Sequence, residues 1–267
     1  MNPVTMVPIR KGVELAASVS AGRAPALVFL HGGLGNRFNW RSQWDHARRQ
    51  GWQTLAYDLG GHGDSSPYGR YSIGRHCRDL TRLLDHLAIA SPILCCHSYG
   101  VPIGLEWAAN NLASGLVLIA GGTHNLDPWW EMPLMRLMAL GLRHLFQLPA
   151  MQRWAQPLIS AHRTPLMDRY FTENPIPTDR HSYKALEIFW NYDLFSRGDK
   201  NAIWTIPTLT ITGGRDPTFS FAMGEKLDSH FQRSRHMHVP EAGHIVMAEY
   251  PEEVNAVISE WKADLIG

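Results

Sequence analysis

The chain has 267 residues, 45% of them apolar, and a formal net charge of +1. That size suits one large domain with an insertion, or two small domains, and the composition excludes a disordered chain. With the charges dispersed, there is no electrostatic case for nucleic acid or an anionic membrane surface as partner. No stretch approaches the roughly 20 unbroken apolar residues of a membrane span. Met1 to Arg10 has neither the basic nor the apolar region of a signal peptide. Three cysteines, Cys77, Cys95 and Cys96, with no C-x-x-C spacing, argue against a disulfide framework or a zinc site. A reducing, cytoplasmic setting is the expectation.

In chain order, Val4–Ile9 and Val13–Ser20 read as two strands joined by a turn at Arg10–Gly12. Ala26–Leu30 is a continuous apolar run between Pro25 and His31-Gly32-Gly33, as expected of a strand buried on both faces. Phe38–Gln50 carries charged and aromatic residues at helical spacing, and Thr54–Asp58 is a further strand leading into a glycine-rich loop, Leu59 to Ser65. Ser72–Leu87 is an amphipathic helix, with Ile73, Cys77, Leu80, Leu83, Leu84 and Leu87 on one face. The strand Ile93–Cys96, a helix over Tyr99–Asn110 and the strand Gly115–Ala120 follow. Pro102 falls in that helix's first turn, where its missing N–H costs nothing.

From Thr123 to about Ile203 the strand signal stops, prolines divide short helical pieces, and bulky apolar residues collect. The alternation then resumes: a strand at Thr208–Thr212, a helix near Phe221–Phe231, a strand at Arg235–Val239 and a final helix, Glu252–Leu265. Strand–helix alternation with short loops implies a mostly parallel sheet with helices on both faces. The expected organisation is a core over residues 1–122 and 204–267, with a helical cap inserted at 123–203 after the sixth strand.

In such a sheet, reactive groups gather beyond the carboxyl ends of the strands. His31-Gly32-Gly33-Leu34-Gly35 follows the third strand, and Ser98 follows the fifth in Cys96-His97-Ser98-Tyr99-Gly100. Asp216 follows the seventh strand in Gly213-Gly214-Arg215-Asp216, and His244 the last in Glu241-Ala242-Gly243-His244. A sharp strand-to-helix turn needs small residues two before and two after the serine. Gly100 meets that need and Cys96 approximates it.

The order Ser, Asp, His at these strand ends, with Tyr57-Asp58-Leu59 and Gly61-His62-Gly63-Asp64-Ser65, resembles the α/β-hydrolase superfamily over essentially the whole chain. Within it the chain is similar to the capped serine esterase and C–C hydrolase group. The resemblance implies an α/β fold with an eight-stranded, mostly parallel sheet. Ser98 would be the nucleophile, His244 the general base and then acid, and Asp216 the carboxylate that orients it. Backbone N–H groups of Gly33 and Tyr99, with Leu34 as the fallback for Gly33, would form the oxyanion hole. Leu34, Tyr99, Trp129, Trp130, Trp190 and Ile245 are the expected substrate-pocket residues.

Other readings compete at several positions. Asp127 is the runner-up for the acid, and Asp216 could instead cap a turn before Pro217. Asp58, His62 and Asp64 are expected to fix the loop after the fourth strand, and His31 to hold the oxyanion loop. His236 and His238 form an H-x-H pair on one strand face; without a third ligand nearby, a structural role is favoured over a metal. Cys95 and Cys96 read as small core residues. The expected activity is hydrolysis of a carboxylic ester with a hydrophobic acyl or alcohol group, a small-molecule substrate, with no cofactor, metal or nucleic-acid partner. Thioester, lactone and C–C bond hydrolysis and hydroxynitrile lysis use the same triad, and a ligand-binding receptor on the same fold is the non-enzymatic alternative. A serine at this position argues against the epoxide hydrolase and haloalkane dehalogenase branches, which the family builds on Asp. Tyr99 in place of Met argues against the cofactor-free haloperoxidase-like branch.

Overall fold

Eight apolar or alternating runs pair into one sheet in a computed structural model that describes residues 1, 3–122, 131–155, 157, 159–189 and 204–266. The strands are β1 (Thr5–Arg10), β2 (Val13–Ser20), β3 (Arg23–Leu30), β4 (Trp52–Tyr57), β5 (Ile93–His97), β6 (Gly115–Ile119), β7 (Thr208–Gly213) and β8 (Ser234–Val239). They lie in the order β1-β2-β4-β3-β5-β6-β7-β8; β2 runs antiparallel to β1 and β4, and every other pairing is parallel. This is the expected α/β architecture. β3 starts earlier than its apolar run, because Arg23 already pairs with Trp52. The register breaks between Arg23 and Leu27, where Pro25 has no N–H to offer the ladder.

Period-two alternation along β5 divides the core. Leu94 and Cys96 face one apolar cluster with residues of α2 (Ile73–His86) and α3 (Gly100–Ala108). Ile93 and Cys95 face the other, with α1 (Arg41–Arg49) and the last helix, Pro251–Ile266. Ser72 caps α2 by accepting from the Arg75 N–H at 3.3 Å. The helix expected over Phe38–Gln50 divides instead into a 3-10 turn, Arg37–Trp40, and α1. Asn36 sets that turn by accepting from the Phe38 N–H at 2.9 Å, a tighter start than an α-helix takes.

Between β6 and β7 the described regular elements are helical: α4 (Glu131–Leu140), a 3-10 turn at Leu142–Gln147, α5 (Pro149–Ala155), α6 (Pro165–Glu173) and α7 (Arg180–Ala185). Thr164 caps α6 with Pro165 in its first turn, and Asp179 caps α7. Polar contacts fasten this insertion to the core. Asn39 donates to Tyr170 Oη at 2.9 Å and to Asn174 Oδ1 at 2.7 Å, and Arg41 pairs with Glu173. No described helix is long and apolar enough to cross a membrane.

Candidate active site

Ser98 sits where β5 turns directly into α3, with φ +47°. Left-handed backbone is uncommon for a residue with a Cβ and costs on the order of 1–2 kcal/mol. The turn persists because its surroundings over-determine it. Ser98 N–H donates to Ile119 O at 2.9 Å, and Ser98 O accepts from Val101 N–H at 2.9 Å. A Cβ on Gly100 would lie 2.6 Å from Leu30 O, so the position after the turn must be glycine.

Cys96 takes the place of the other small residue, and the compensation lies one helical turn onward. A Cβ on Gly104 of α3 would collide with Cys96 Sγ. The helix therefore gives up a side chain at 104 where the strand has gained one at 96. Nothing in the spacing of the turn points to Gly104; it becomes meaningful only once α3 is laid across β5. Burial raises the Cys95 and Cys96 thiols above their ordinary pKa and pushes Cys77 up to about 12. None supplies a thiolate near neutral pH.

Asp216 and His244 arrive from the ends of β7 and β8. His244 Nδ1 lies 2.9 Å from Asp216 Oδ2. A carboxylate only accepts, so Nδ1 carries the proton and Nε2 is the basic nitrogen. Asp216 Oδ1 accepts from the N–H groups of Thr218 and Phe219 at 2.8 and 3.0 Å and from the Thr218 hydroxyl at 2.8 Å. Burial alone would raise the Asp216 pKa. The His244 charge and hydrogen bond, with those two N–H donors, outweigh it and hold the carboxyl below its ordinary value. Thr218 Oγ1 also lies 2.8 Å from His244 Nδ1, so one hydroxyl touches both residues. Sequence reasoning missed Thr218, because only the curl of the 216–219 turn returns it to the carboxylate.

His97 joins the serine turn to the histidine loop. Its Nε2–H donates to the His244 carbonyl at 3.0 Å, and the two rings are 5.0 Å apart. Burial pushes the His97 pKa down to about 3, so the ring is neutral beside His244 and adds no repulsion when that ring becomes charged. Among the described residues nothing bonds its buried Nδ1.

The loop after β3 closes on the same place. A Cβ on Gly32 would lie 2.6 Å from His97 Nδ1 and 3.5 Å from Ser98 Cβ; one on Gly33 would lie 3.6 Å from Tyr99 Cβ. His31 fixes this loop from below: Nδ1–H donates to Gly32 O at 2.8 Å and Nε2 accepts the Leu59 N–H at 2.9 Å. Asp58 accepts from Arg37 N–H at 2.7 Å and Asp64 N–H at 2.9 Å and pairs with the Arg37 guanidinium. These groups brace the two glycine-rich loops against each other. His62 is buried against His31 and Tyr99.

The histidine loop is also tied to the insertion. His244 N–H donates to Ile159 O at 3.1 Å, and Glu249 spans Gly243 N–H and Ala161 N–H at 2.6 and 2.9 Å. A Cβ at Gly243 would lie 2.7 Å from Ala161 N, so this close approach requires the glycine.

Two expected pocket residues need correction. Tyr99 is fully buried, with its ring against His62 and its hydroxyl 3.0 Å from His76 Nε2 and 3.1 Å from Ala185 O of α7. Ile245 is buried in the cluster on the other face of the sheet. Helix α3 and the 245–249 turn direct both side chains into the cores rather than toward a ligand. Leu34, at φ +58°, is half-buried and packs with Met138 and Tyr183 of the insertion. Trp129, Trp130, Trp190 and Asp127 lie outside the described residues. His236 Nε2 and His238 Nδ1 both bond the Thr212 hydroxyl, at 2.9 and 3.1 Å, beside the Phe221 ring. Among the described residues no three His, Cys, Asp or Glu gather as a metal site.

A parallel sheet with a strained serine turn after β5 and an Asp–His pair after β7 and β8 is the architecture of α/β hydrolases. Residues 25–251 match the alpha/beta hydrolase fold family, and the chain belongs to it. It is 21% identical over 302 aligned positions to bifunctional epoxide hydrolase 2 of Mus musculus, covering 96% of this chain and 54% of that protein. The chain thus spans about half the length of the curated relatives it matches. Among solved structures it is similar to an esterase from Exiguobacterium antarcticum, with a TM-score of 0.82, 19% identity and coverage of 97% of this chain and 99% of that one. It is also similar to the enol-lactonase from Burkholderia xenovorans LB400, with a TM-score of 0.81, 22% identity and coverage of 98% and 100%. At these identities the likeness is one of fold.

Proposed function

We propose that the chain is a serine hydrolase that cleaves a carboxylic ester bearing a hydrophobic acyl or alcohol group, through an acyl-enzyme. The observation that carries this is the 2.9 Å contact between His244 Nδ1 and Asp216 Oδ2. It belongs to a histidine whose own carbonyl is bonded to the residue before Ser98. With Nδ1–H held by Asp216, Nε2 takes the Ser98 proton as Oγ attacks the ester carbonyl. The negative charge that develops on the carbonyl oxygen is met by the N–H groups of Gly33 and Tyr99, or of Leu34 in place of Gly33. One such donor is worth about 3 kcal/mol in the transition state. His244 then gives its proton to the departing alkoxide. It next takes a proton from water, which attacks the acyl group and restores Ser98. Residues 123–203 act as the cap. This chemistry needs no cofactor or metal. A hydroxyl rather than a carboxylate at residue 98 favours acyl transfer over epoxide opening.

The test is turnover of an ester panel graded in acyl and alcohol size, run beside a thioester, a lactone and a diketone. Ester hydrolysis with a pre-steady-state burst, absent in Ser98→Ala, is the expected result. Cleavage of the diketone alone would overturn the ester assignment and leave the triad standing. Inertness toward the whole panel would favour a receptor.

A further inference from the structure

The net charge of +1 conceals a segregated segment: residues 132–167 contain four arginines, Arg136, Arg143, Arg153 and Arg163, and no Asp or Glu. The same stretch holds most of the large apolar side chains that the described structure leaves in water. Leu137 and Leu140 lie three apart on α4, on the side away from Met138, which is buried with Tyr183 and Leu34. A surface helix ordinarily turns polar residues outward; α4 leaves Leu137 and Leu140 in water. Leu142 and Leu145 follow three apart in the 3-10 turn, whose side chains at i and i+3 eclipse, and Leu148 lies exposed at its end. Leu140 is 71% exposed and Leu148 53%. Trp154, near the end of α5, is 62% exposed. Isolated exposed leucines need no explanation, but a run of them with a tryptophan marks a surface with a partner.

We propose that this part of the insertion docks on an anionic lipid surface, with the leucines and Trp154 entering the headgroup boundary and the exposed Arg153 and Arg163 pairing with lipid phosphates. The charge selects the partner. Docking against a second copy about a twofold axis would bring the exposed Arg153 and Arg163 of the two copies toward the same interface. An anionic bilayer supplies both an apolar medium and the opposite charge. The indole ring suits that boundary, being apolar with one polar edge. Arginine stems can lie along apolar surface while their heads reach phosphate. This docking does not depend on the triad and would hold for a hydrolase or a receptor alike.

Sedimentation of the full chain with vesicles of phosphatidylcholine, alone or mixed with phosphatidylglycerol, tests it. Partition into the mixed vesicles that weakens with salt is expected. The triple variant L142S/L145S/L148S should lose it while keeping the wild-type circular dichroism. The pair R153Q/R163Q, both exposed side chains, leaves the apolar stripe intact and should weaken partition about fivefold per arginine. Failure to partition into either vesicle would overturn the proposal, as would equal partition into both. A dimer in light scattering that the leucine variant dissolves would assign the face to a second copy and also overturn it.

Discussion

The carboxyl end of the sheet and the helical insertion are built on opposite principles. Around Ser98, Asp216 and His244 the groups are bonded inward: Asp216 takes four donors, glycines at 100 and 243 let backbones approach closely, and Gly32 leaves room for the His97 ring. The insertion buries Met138, Met167 and Tyr183 but leaves a row of leucines in water. Separate polar ties fasten it, such as Asn39 to Tyr170 and Arg41 to Glu173. The layer that carries Ser98, Asp216 and His244 is held by dense backbone and carboxylate bonding, whereas the described insertion joins the core through Met167, Ala185, Leu186 and Ile188 and a few polar ties. Among the described residues the two regions meet at the histidine loop, through Glu249 and Ile159, and again where the Tyr99 hydroxyl reaches Ala185 O.

The sharpest test of the rigid side is Asp216→Asn. It keeps the shape of the side chain but supplies an amide where the tautomer of His244 requires an acceptor, and kcat should fall about 10⁴-fold with the fold intact. Ester turnover within tenfold of wild type would move the acid elsewhere, and Asp127 would be the first alternative to examine.

Acid should undo the same side next. Burial lowers His31 to about 4 and His62, His76 and His97 to about 3, from an ordinary 6.5. The folded state keeps these rings neutral, whereas the unfolded chain protonates them near pH 6.5. Stability is therefore fully present above that value and drains as pH falls from about 6.5 toward 3 to 4. The urea midpoint should drop steadily between pH 7 and 4, and a flat midpoint would contradict the neutral-histidine assignment.

Cys96 and Gly104 sharpen the comparison at smaller scale. Gly104→Ala should destabilise by about 1–3 kcal/mol through overpacking against Sγ. Cys96→Ala combined with it should recover most of that loss, giving a coupling energy of the same size in a double-mutant cycle. Additive effects would mean that the two sites do not share the space. The smallest effect is expected on the insertion: Tyr170→Phe removes one acceptor from Asn39, worth about 1 kcal/mol. Amide exchange should quicken in Pro165–Glu173 while the melting temperature of the core holds. Unchanged exchange there would show that the tie carries no load.

The sequence made the sheet and its three reactive strand ends legible for a physical reason. A strand buried on both faces is an unbroken apolar run, and the first polar residues after it must lie at its end. Ser98 and Asp216 follow the fully buried strands β5 and β7 in this way, whereas His244 follows the polar edge strand β8 and is placed by the Ser, Asp, His order of the family resemblance. What escaped depends on distance across the fold rather than along the chain. Thr218 meets His244 across 26 positions, Glu249 reaches Ala161 across 88, and Gly104 matters only because Cys96 lies beneath it. Tyr99, next to Ser98, and Ile245, next to His244, turn into the cores because nearness in sequence to a candidate catalytic residue does not set which way a side chain turns. The division of Phe38–Gln50 likewise depended on one Asn36 cap that helical periodicity cannot register.

The central claim is that Ser98 is an activated nucleophile, and covalent labelling by a fluorophosphonate tests it most directly. Intact mass and peptide mapping should show a single adduct on Ser98 in the wild type, much slower labelling in His244→Ala, and none in Ser98→Ala. No adduct on the wild type, or equal labelling of Ser98→Ala, would contradict the account.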